Sequence, residues 1–282
     1  MYVSAQYCRN AGLGNKLFPW ARAVVMAERF GYTCIDPVWF SPRGAAITRG
    51  GIDYGKALRK IWLYDNFTRR KQDAPFLKGI FLSKQQQICC DNLSQAVAAA
   101  NEKKNICFKW NTDHHFTDIS EYRTIIVKAL NDISIPRSLD FAMNYHPQPF
   151  IGLNIRTGKD FVQKSSGKHG YYLTEIDWFI HALAVTREKH GNLPAVIVSD
   201  GGEKELSAIL QVPGTVLLNS RNAIEDLLVL SKSRVLLGSG NSSFSAWASF
   251  LGGMDTFSSK ETSFSHFRIN AGNTIQFVGI IE

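Results

Sequence analysis

The sequence predicts an α/β fold of two domains built on parallel sheets, and three observations carry that expectation. Strand-length apolar runs alternate with helical patterns from residue 150 onward. The N-terminus opens with a strand, a glycine-bearing turn and a helix, and a proline-bearing stretch separates the two halves. Strands alternating with helices imply a parallel sheet with helices on both faces and its ligand at the carboxyl ends of the strands. At 282 residues, 45% of them apolar and 20% charged, the chain has globular composition and the length for two cores.

Taken in order, "MYVSAQY" alternates as a short strand, and "CRNAGLGNK" is a glycine turn. In "LFPWARAVVMAERFG" Leu17, Trp20, Ala21, Val24 and Val25 recur at helical spacing before Gly31 stops the helix. "TCIDPVWF" reads as a second strand, while the region from Ser41 to Gly79 has no period that assigns an element. "DNLSQAVAAANEKK" is a helix after an Asp/Asn start, and "NICFKW" is a strand. "ISEYRTIIVKALND" is a helix with Ile119, Tyr122, Ile126 and Leu130 on one stripe. "SIPRSLDFAMNYHPQPF", with Pro136, Pro147 and Pro149, reads as the linker and sets domains at 1–147 and 148–282. Beyond it, strands "FIGLNIR", "AVIVSD", "TVLLN" and "RVLLGSG" are separated by helices "TEIDWFIHALAVTREKHG", "GEKELSAIL" and "AIEDLLVLSKS". "SSFSAWASFLGG" closes the series as a helix, and "NTIQFVGIIE" reads as a terminal strand.

The formal charge of +8 is uneven. Residues 1–110 hold 17 Lys/Arg against 7 Asp/Glu, a net +10, and the rest of the chain is slightly acidic. A basic domain of this kind meets nucleic acid, anionic lipid or a phosphorylated acceptor. Between residues 58 and 82, Arg59, Lys60, Arg69, Arg70 and Lys71 interleave with Trp62, Tyr64, Phe67 and Phe76, as on an interfacial surface or a solvated face with aromatics turned inward. No apolar run is long enough to span a membrane and no signal-peptide pattern opens the chain, so the expected compartment is the cytoplasm. The five cysteines are odd in number and lack ligand spacing, which predicts free thiols without structural zinc. "DHHF" (113–116) reads as a polar loop, because adjacent histidines point in different directions.

Four polar clusters fall where strands give way to helices: "AGLGN" (11–15), "NIRTGKD" (154–160), "SDGG" (199–202) and "GSGNSSFS" (238–245). Glycine turns before helices let backbone N–H groups approach an anion, and the helix dipole favours negative charge there. "GLGN" lacks the full GxGxxG fingerprint and is not a Walker A loop, which argues against a dehydrogenase. Together the clusters suggest a phosphate-bearing ligand.

Five of these stretches, in order, resemble bacterial α-1,2-fucosyltransferases. They are "AGLGNKLFPWARAVVMAERFG", "IGLNIRTGKDF", "GYYLTEIDWFIHAL", "VIVSDGG" and "AIEDLLVLSKSRVLLGSGNSSFSAWASFLGG". The second resembles the family's His-x-Arg-Arg-Gly-Asp motif, with Asn154 in place of the histidine, Thr157 in place of the second arginine, and the acidic residue displaced to Asp160. The resemblance implies a GT-B-like fold of two facing Rossmann-like domains, inverting transfer from a GDP-sugar, and no cofactor or obligatory metal. It implies that Arg156 holds the β-phosphate, that Asp226 accepts from guanine, and that Ser242 and Ser243 bind phosphate. Asn154 and Asp200 join the donor site, and Gly12, Gly14 and Asn15 close over the diphosphate. Asp160 is the first choice for the catalytic base, ahead of Glu175 and Asp177. The expected partners are GDP-fucose, or another GDP-deoxysugar such as colitose, and a galactoside acceptor. That acceptor would be a lipid-linked precursor of a bacterial surface polysaccharide such as O-antigen, which the basic half meets at the inner face of the membrane; nucleic acid is not an expected partner. The rival expectation is a basic binding module without chemistry, recognised by steeply salt-dependent nucleic-acid binding and no GDP binding.

Overall fold

The computed structural model describes residues 1–6, 11–37, 39, 47–48, 51–52, 67–81, 87–109, 115–145, 149–157, 173–240, 242–259 and 281. The chain divides into two compact units, one of residues 1–139 with 222–224 and one of residues 140–221 with 225–282.

The first unit is built on strands β1 (Tyr2–Gln6), β2 (Thr33–Cys34), β5 (Gln87–Cys90) and β6 (Asn105–Lys109). They form a four-stranded sheet in the order β2-β1-β6-β5, parallel throughout. A short antiparallel pair, β3 (Ile47–Thr48) and β4 (Gly51–Ile52), stands apart from it. Helix α1 (Leu13–Phe30) follows β1, as the spacing of Leu17, Trp20, Ala21, Val24 and Val25 requires. All five are buried, and Gly31 ends the helix in the left-handed conformation at φ 69°. Helices α3 (Leu93–Asn101) and α4 (Arg123–Ile133) pack against α1, and the short α2 (Phe76–Phe81) lies beside Ile35, next to β2.

Arg22, fully buried on α1, donates Nε and Nη2 to the two carboxylate oxygens of Asp118 at 2.8 and 2.9 Å. The Leu93 N–H at the start of α3 also donates to Asp118, at 2.8 Å. One carboxylate therefore ties α1 to α3, and removing either partner of such a buried pair costs about 3–5 kcal/mol. Asn92 caps α3 by accepting from the Gln95 N–H, which is the Asp/Asn start expected there.

The second unit carries β7 (Ile151–Ile155), β8 (Ala195–Ser199), β9 (Thr215–Leu217), β10 (Val235–Gly238) and β11 (Asp255–Phe257). The order is β11-β10-β7-β8-β9, and every pairing is parallel. All five residues of β7 are buried, because this central strand is covered on both faces. Ile151, Leu153, Ile155, Ala195, Ile197, Val235 and Leu237 form the core with Phe179 and Leu183 of α6 (Ile176–His190) and Ile209 of α7 (Ser207–Leu210). Helices α8 (Ala223–Leu230) and α9 (Ser243–Gly252) complete the alternation. A Cβ on Gly152 would sit 2.9 Å from the Ser233 side chain and 3.2 Å from Leu230, so glycine lets β7 lie close to the end of α8.

Several elements depart from the sequence expectation. The stretch read as a linker contains helix α5 (Pro136–Asn144). Pro136 occupies its first position, where a fixed φ suits a helix and the missing N–H removes no intrahelical bond. β5 and β11 are additional to the expected strands, and both are short. "ISEYRTIIVKALND" begins as a 3-10 turn (Ser120–Tyr122) before α4. Within "TCIDPVWF" the strand is Thr33–Cys34, followed by a parallel bridge from Ile35 to Ala74, and the helix expected over "GEKELSAIL" is α-helical at Ser207–Leu210. The terminal "NTIQFVGIIE" lies, except for Ile281, outside the described residues.

Candidate functional site

The strand order of the second unit locates the site before any side chain is considered. The chain runs outward from β7 through β8 to β9, then returns to the other side of β7 for β10 and β11. The direction of winding reverses between β7 and β10, and in an open parallel sheet the crevice outside the carboxyl ends at such a point takes the ligand. The residues that leave β7 are Arg156 and Thr157; those that leave β10 are Ser239 and Gly240, followed by Ser242 and Ser243 at the start of α9.

These segments are hydrogen-bonded to one another. The Ser239 N–H donates to the Asn154 carbonyl at 2.9 Å, extending the β7–β10 ladder by one residue. The Arg156 N–H donates to Ser239 Oγ at 2.9 Å, which fixes the backbone from which the guanidinium projects. Asp200, immediately after β8, lies on the other flank. Its carboxylate accepts from the Thr157 N–H at 2.8 Å and pairs with Arg156 Nε at 3.2 Å, both side chains about 30% exposed (29% and 30%). A carboxylate on Nε orients the guanidinium fork and repels a phosphate, so Asp200 is placed to position Arg156. Gly201 permits this approach. A Cβ there would clash with Thr157 Oγ1, so any side chain would displace Thr157.

Asn154 points the other way, into the protein. Only 2% exposed, its amide Nδ2 donates to Ser245 Oγ at 2.5 Å and lies 3.4 Å from Ser242 Oγ. Ser242 is the N-cap of α9, accepting from the Ser245 N–H at 3.3 Å. Asn154 thus ties the central strand to the first turn of α9, whose free N–H groups and dipole favour an anion.

Asp226 lies in the first turn of α8, after β9, and Ser220 Oγ donates to its Oδ1 at 2.5 Å. Burial pushes this carboxyl up to about 6; the Ser220 hydrogen bond opposes the rise, and the neighbouring charge of Glu225 adds to it. Glu225 itself is fully buried and serves its own turn, accepting from the Arg221 N–H at 2.8 Å and pairing with the Arg221 guanidinium at 3.3 Å.

The sequence profile of Glycosyl transferase family 11 matches residues 63–273, well over half of the chain and all of the strand-end cluster just described. The chain belongs to Glycosyl transferase family 11. It is accordingly a glycosyltransferase. No curated protein matches it significantly. Among solved structures, a mutant of Arabidopsis thaliana FUT1 in complex with GDP superposes with TM-score 0.50 at 11% identity, over 93% of this chain and 71% of that one. The fucosyltransferase NodZ from Bradyrhizobium gives TM-score 0.50 at 11% identity, over 88% of this chain and 92% of that one. These likenesses show the fold, which is GT-B-like, with parallel-stranded α/β units.

Within this family 11 chain, Arg156, Asp200, Asn154 and Ser242 are linked through the bonds above, and Ser243 follows Ser242 on the same turn. Asp226 stands apart from them in the hydrogen-bond network, with Ser220 as its partner. In the first unit, Gly12 is the N-cap of α1 and Gly14 and Asn15 lie in its first turn. Asp160 lies outside the described residues, as do Asp113 and His114 of "DHHF". Glu175 and Asp177 are the N-cap and a first-turn residue of α6, where their charges complement the helix dipole. Sequence reasoning passes over Ser239, Ser245 and Ser220; for Ser239 and Ser245 the one signal available is the density of serine in "GSGNSSFS". Among the described residues no cluster of three or more His, Cys, Asp or Glu could hold a metal ion, and no helix is long and apolar enough to cross a membrane.

Proposed function

We propose that this glycosyltransferase is an inverting fucosyltransferase that takes its sugar from GDP-fucose. It delivers fucose in α-1,2 linkage to a galactoside of a bacterial surface-polysaccharide precursor. The observation that carries the reading is an arginine, Arg156, oriented by Asp200 and Ser239 at the switch point of the second sheet, within the span matched by the family.

In the reaction the acceptor hydroxyl oxygen forms a bond to the anomeric carbon while the bond from that carbon to the β-phosphate oxygen breaks, and GDP leaves with the electron pair. The proton passes to a carboxylate base, assigned to Asp160. Negative charge grows on the β-phosphate as the bond breaks, so a guanidinium aimed there stabilises the transition state more than the ground state. Ser242, Ser243 and the first turn of α9 bind phosphate, and Asp226 accepts from guanine N1–H and the 2-amino group. The leaving charge is met by these donors, without an obligatory metal. The acceptor is lipid-linked, and the basic first half of the chain meets it at an anionic membrane surface.

Arg156→Ala tests the assignment. The side chain is partly exposed and lies outside the sheet core, so the variant folds with a melting temperature near that of the parent. Transfer from GDP-fucose falls by about 10²–10³-fold, the usual cost of one transition-state donor. Near-normal turnover in a folded Arg156→Ala protein would remove the assignment.

A further inference from the structure

The sheet of the first unit carries a pair of nucleophilic side chains outside the strand-end cluster of the second unit. β5 and β6 are parallel and paired in register, with Cys89 opposite Cys107 and Cys90 opposite Phe108. Residues opposite one another project to the same face. Cys90 and Phe108 turn into the core, 1% and 0% exposed. Cys89 and Cys107 share the opposite face, where Cys89 is exposed and Cys107 is 7% exposed. Neighbouring strands lie roughly 4.8 Å apart, inside the Cα separation of roughly 4.4–6.8 Å that a disulfide spans.

The polar surroundings of the pair suit thiol chemistry. Ser4 of β1 is opposite Cys107 on its other side. Lys109, exposed and two residues beyond Cys107 on the same face, has its ammonium held in the charged form chiefly by its hydrogen bond and charge contact with Cys89. Burial pushes the Cys107 thiol up, and a contact with the Cys89 sulfur adds to that rise while the Ser4 hydrogen bond opposes it. The exposed sulfur beside the ammonium is therefore the one that an oxidant reaches, and the buried one stands behind it.

We propose that Cys89 and Cys107 form an oxidisable dithiol, a site of covalent modification by peroxides that closes to an intrachain disulfide across β5 and β6. Cys89 gives its thiol proton to solvent and its sulfur, beside the Lys109 ammonium, attacks one peroxide oxygen. The S–O bond forms, the O–O bond breaks, and hydroxide leaves to become water by taking a proton from solvent. Cys107 then attacks the sulfenic sulfur. The S–S bond forms, the S–O bond breaks, and a second water leaves with the Cys107 proton. Two thiols are oxidised and one peroxide is reduced, with no other reactant.

The test is mass spectrometry of the full chain after brief treatment with hydrogen peroxide, before and after a thiol reductant. Trypsin releases Cys89 in the peptide of residues 85–103 and Cys107 in the peptide of residues 105–109. The expected result is a linked pair of these peptides, lighter by two hydrogens than the separate peptides and released by the reductant. The link persists in Cys90→Ser, vanishes in Cys89→Ser and Cys107→Ser, and forms several-fold more slowly in Lys109→Ala. Sulfinic acid at Cys89 without a link, a link that survives in Cys89→Ser, or cross-linking between chains would overturn the proposal. Cys89 is exposed, so its serine variant folds and the comparison stands.

Discussion

The guanine contact proposed for Asp226 makes donor binding depend on pH in a window set by the protein. Guanine presents two donors on one edge, and only the ionised carboxylate offers both oxygens as acceptors. Asp226 is held up to about 6, chiefly by burial. At pH 5 about a tenth of the free protein carries the ionised side chain, so the apparent affinity falls about tenfold from its plateau above pH 7, or about 1.4 kcal/mol. Binding at pH 5 releases close to one proton, and at pH 6 about half of one. Isothermal titration with GDP-fucose at pH 5–8, in buffers of differing ionisation enthalpy, reads both quantities. The sugar nucleotide is chosen because its diphosphate has no ionisation of its own in this range. Asp226→Asn should bind more weakly at neutral pH and show a flat profile. Its stability should move the other way. A carboxyl whose folded pKa lies above its unfolded value of 3.8 opposes folding once ionised, with the cost growing from pH 4 to 6 and full above it. Asp226→Asn is therefore more stable than the parent at pH 7, by about 1–3 kcal/mol, and the gain disappears near pH 4. Equal slopes for the parent and Asp226→Asn, or a parent affinity that does not change with pH, would rule out ionised Asp226 as the guanine acceptor.

Three further outcomes follow from the strand-end contacts. Asp200→Asn leaves the Thr157 N–H an acceptor but removes the charge that orients Arg156. Transfer should fall by about 10-fold in kcat with KM for GDP-fucose little changed, in steady-state kinetics. Gly201→Ala should lower transfer without unfolding the core, because its Cβ would push Thr157 Oγ1 out of place; a parent-like rate would contradict this. Asn154→Ala leaves the Ser245 hydroxyl without its donor in a buried setting and should cost about 1–3 kcal/mol in denaturant unfolding, whereas a fully exposed Asn154 would cost nothing.

Much of the second unit can be read from the sequence because β7, β8 and β10 are mainly apolar runs that give way to polar residues at their carboxyl ends. "FIGLNIR" and "AVIVSD" do this, so Arg156 and Asp200 are visible as strand-end residues. β5, "QICC", is hidden because only Ile88 and two cysteines mark it, and β11, "DTF", is too short to show a period. α5 is hidden by Pro136, since proline breaks a helix in its interior but begins one here. In the site, the roles of Asn154 and Arg156 depend on Ser245 and Ser239, residues 91 and 83 positions away that meet them only when β10 and α9 pack beside β7. The state of Asp226 is equally out of reach, since its raised pKa comes from burial under the completed fold. Asn154 illustrates the difference most directly. It stands at the motif histidine position as though it faced the sugar, and in the fold its amide is directed into α9.

The second unit is proposed to hold a GDP-linked sugar at the switch point and to release GDP. This is tested most directly by measuring nucleotide release from GDP-fucose, GDP-mannose, UDP-galactose and CMP-sialic acid in the presence of a galactoside acceptor. GDP release and a fucosylated galactoside are expected from GDP-fucose alone, and both are lost in Arg156→Ala. Turnover of a UDP- or CMP-sugar in preference to GDP-fucose would contradict the proposal.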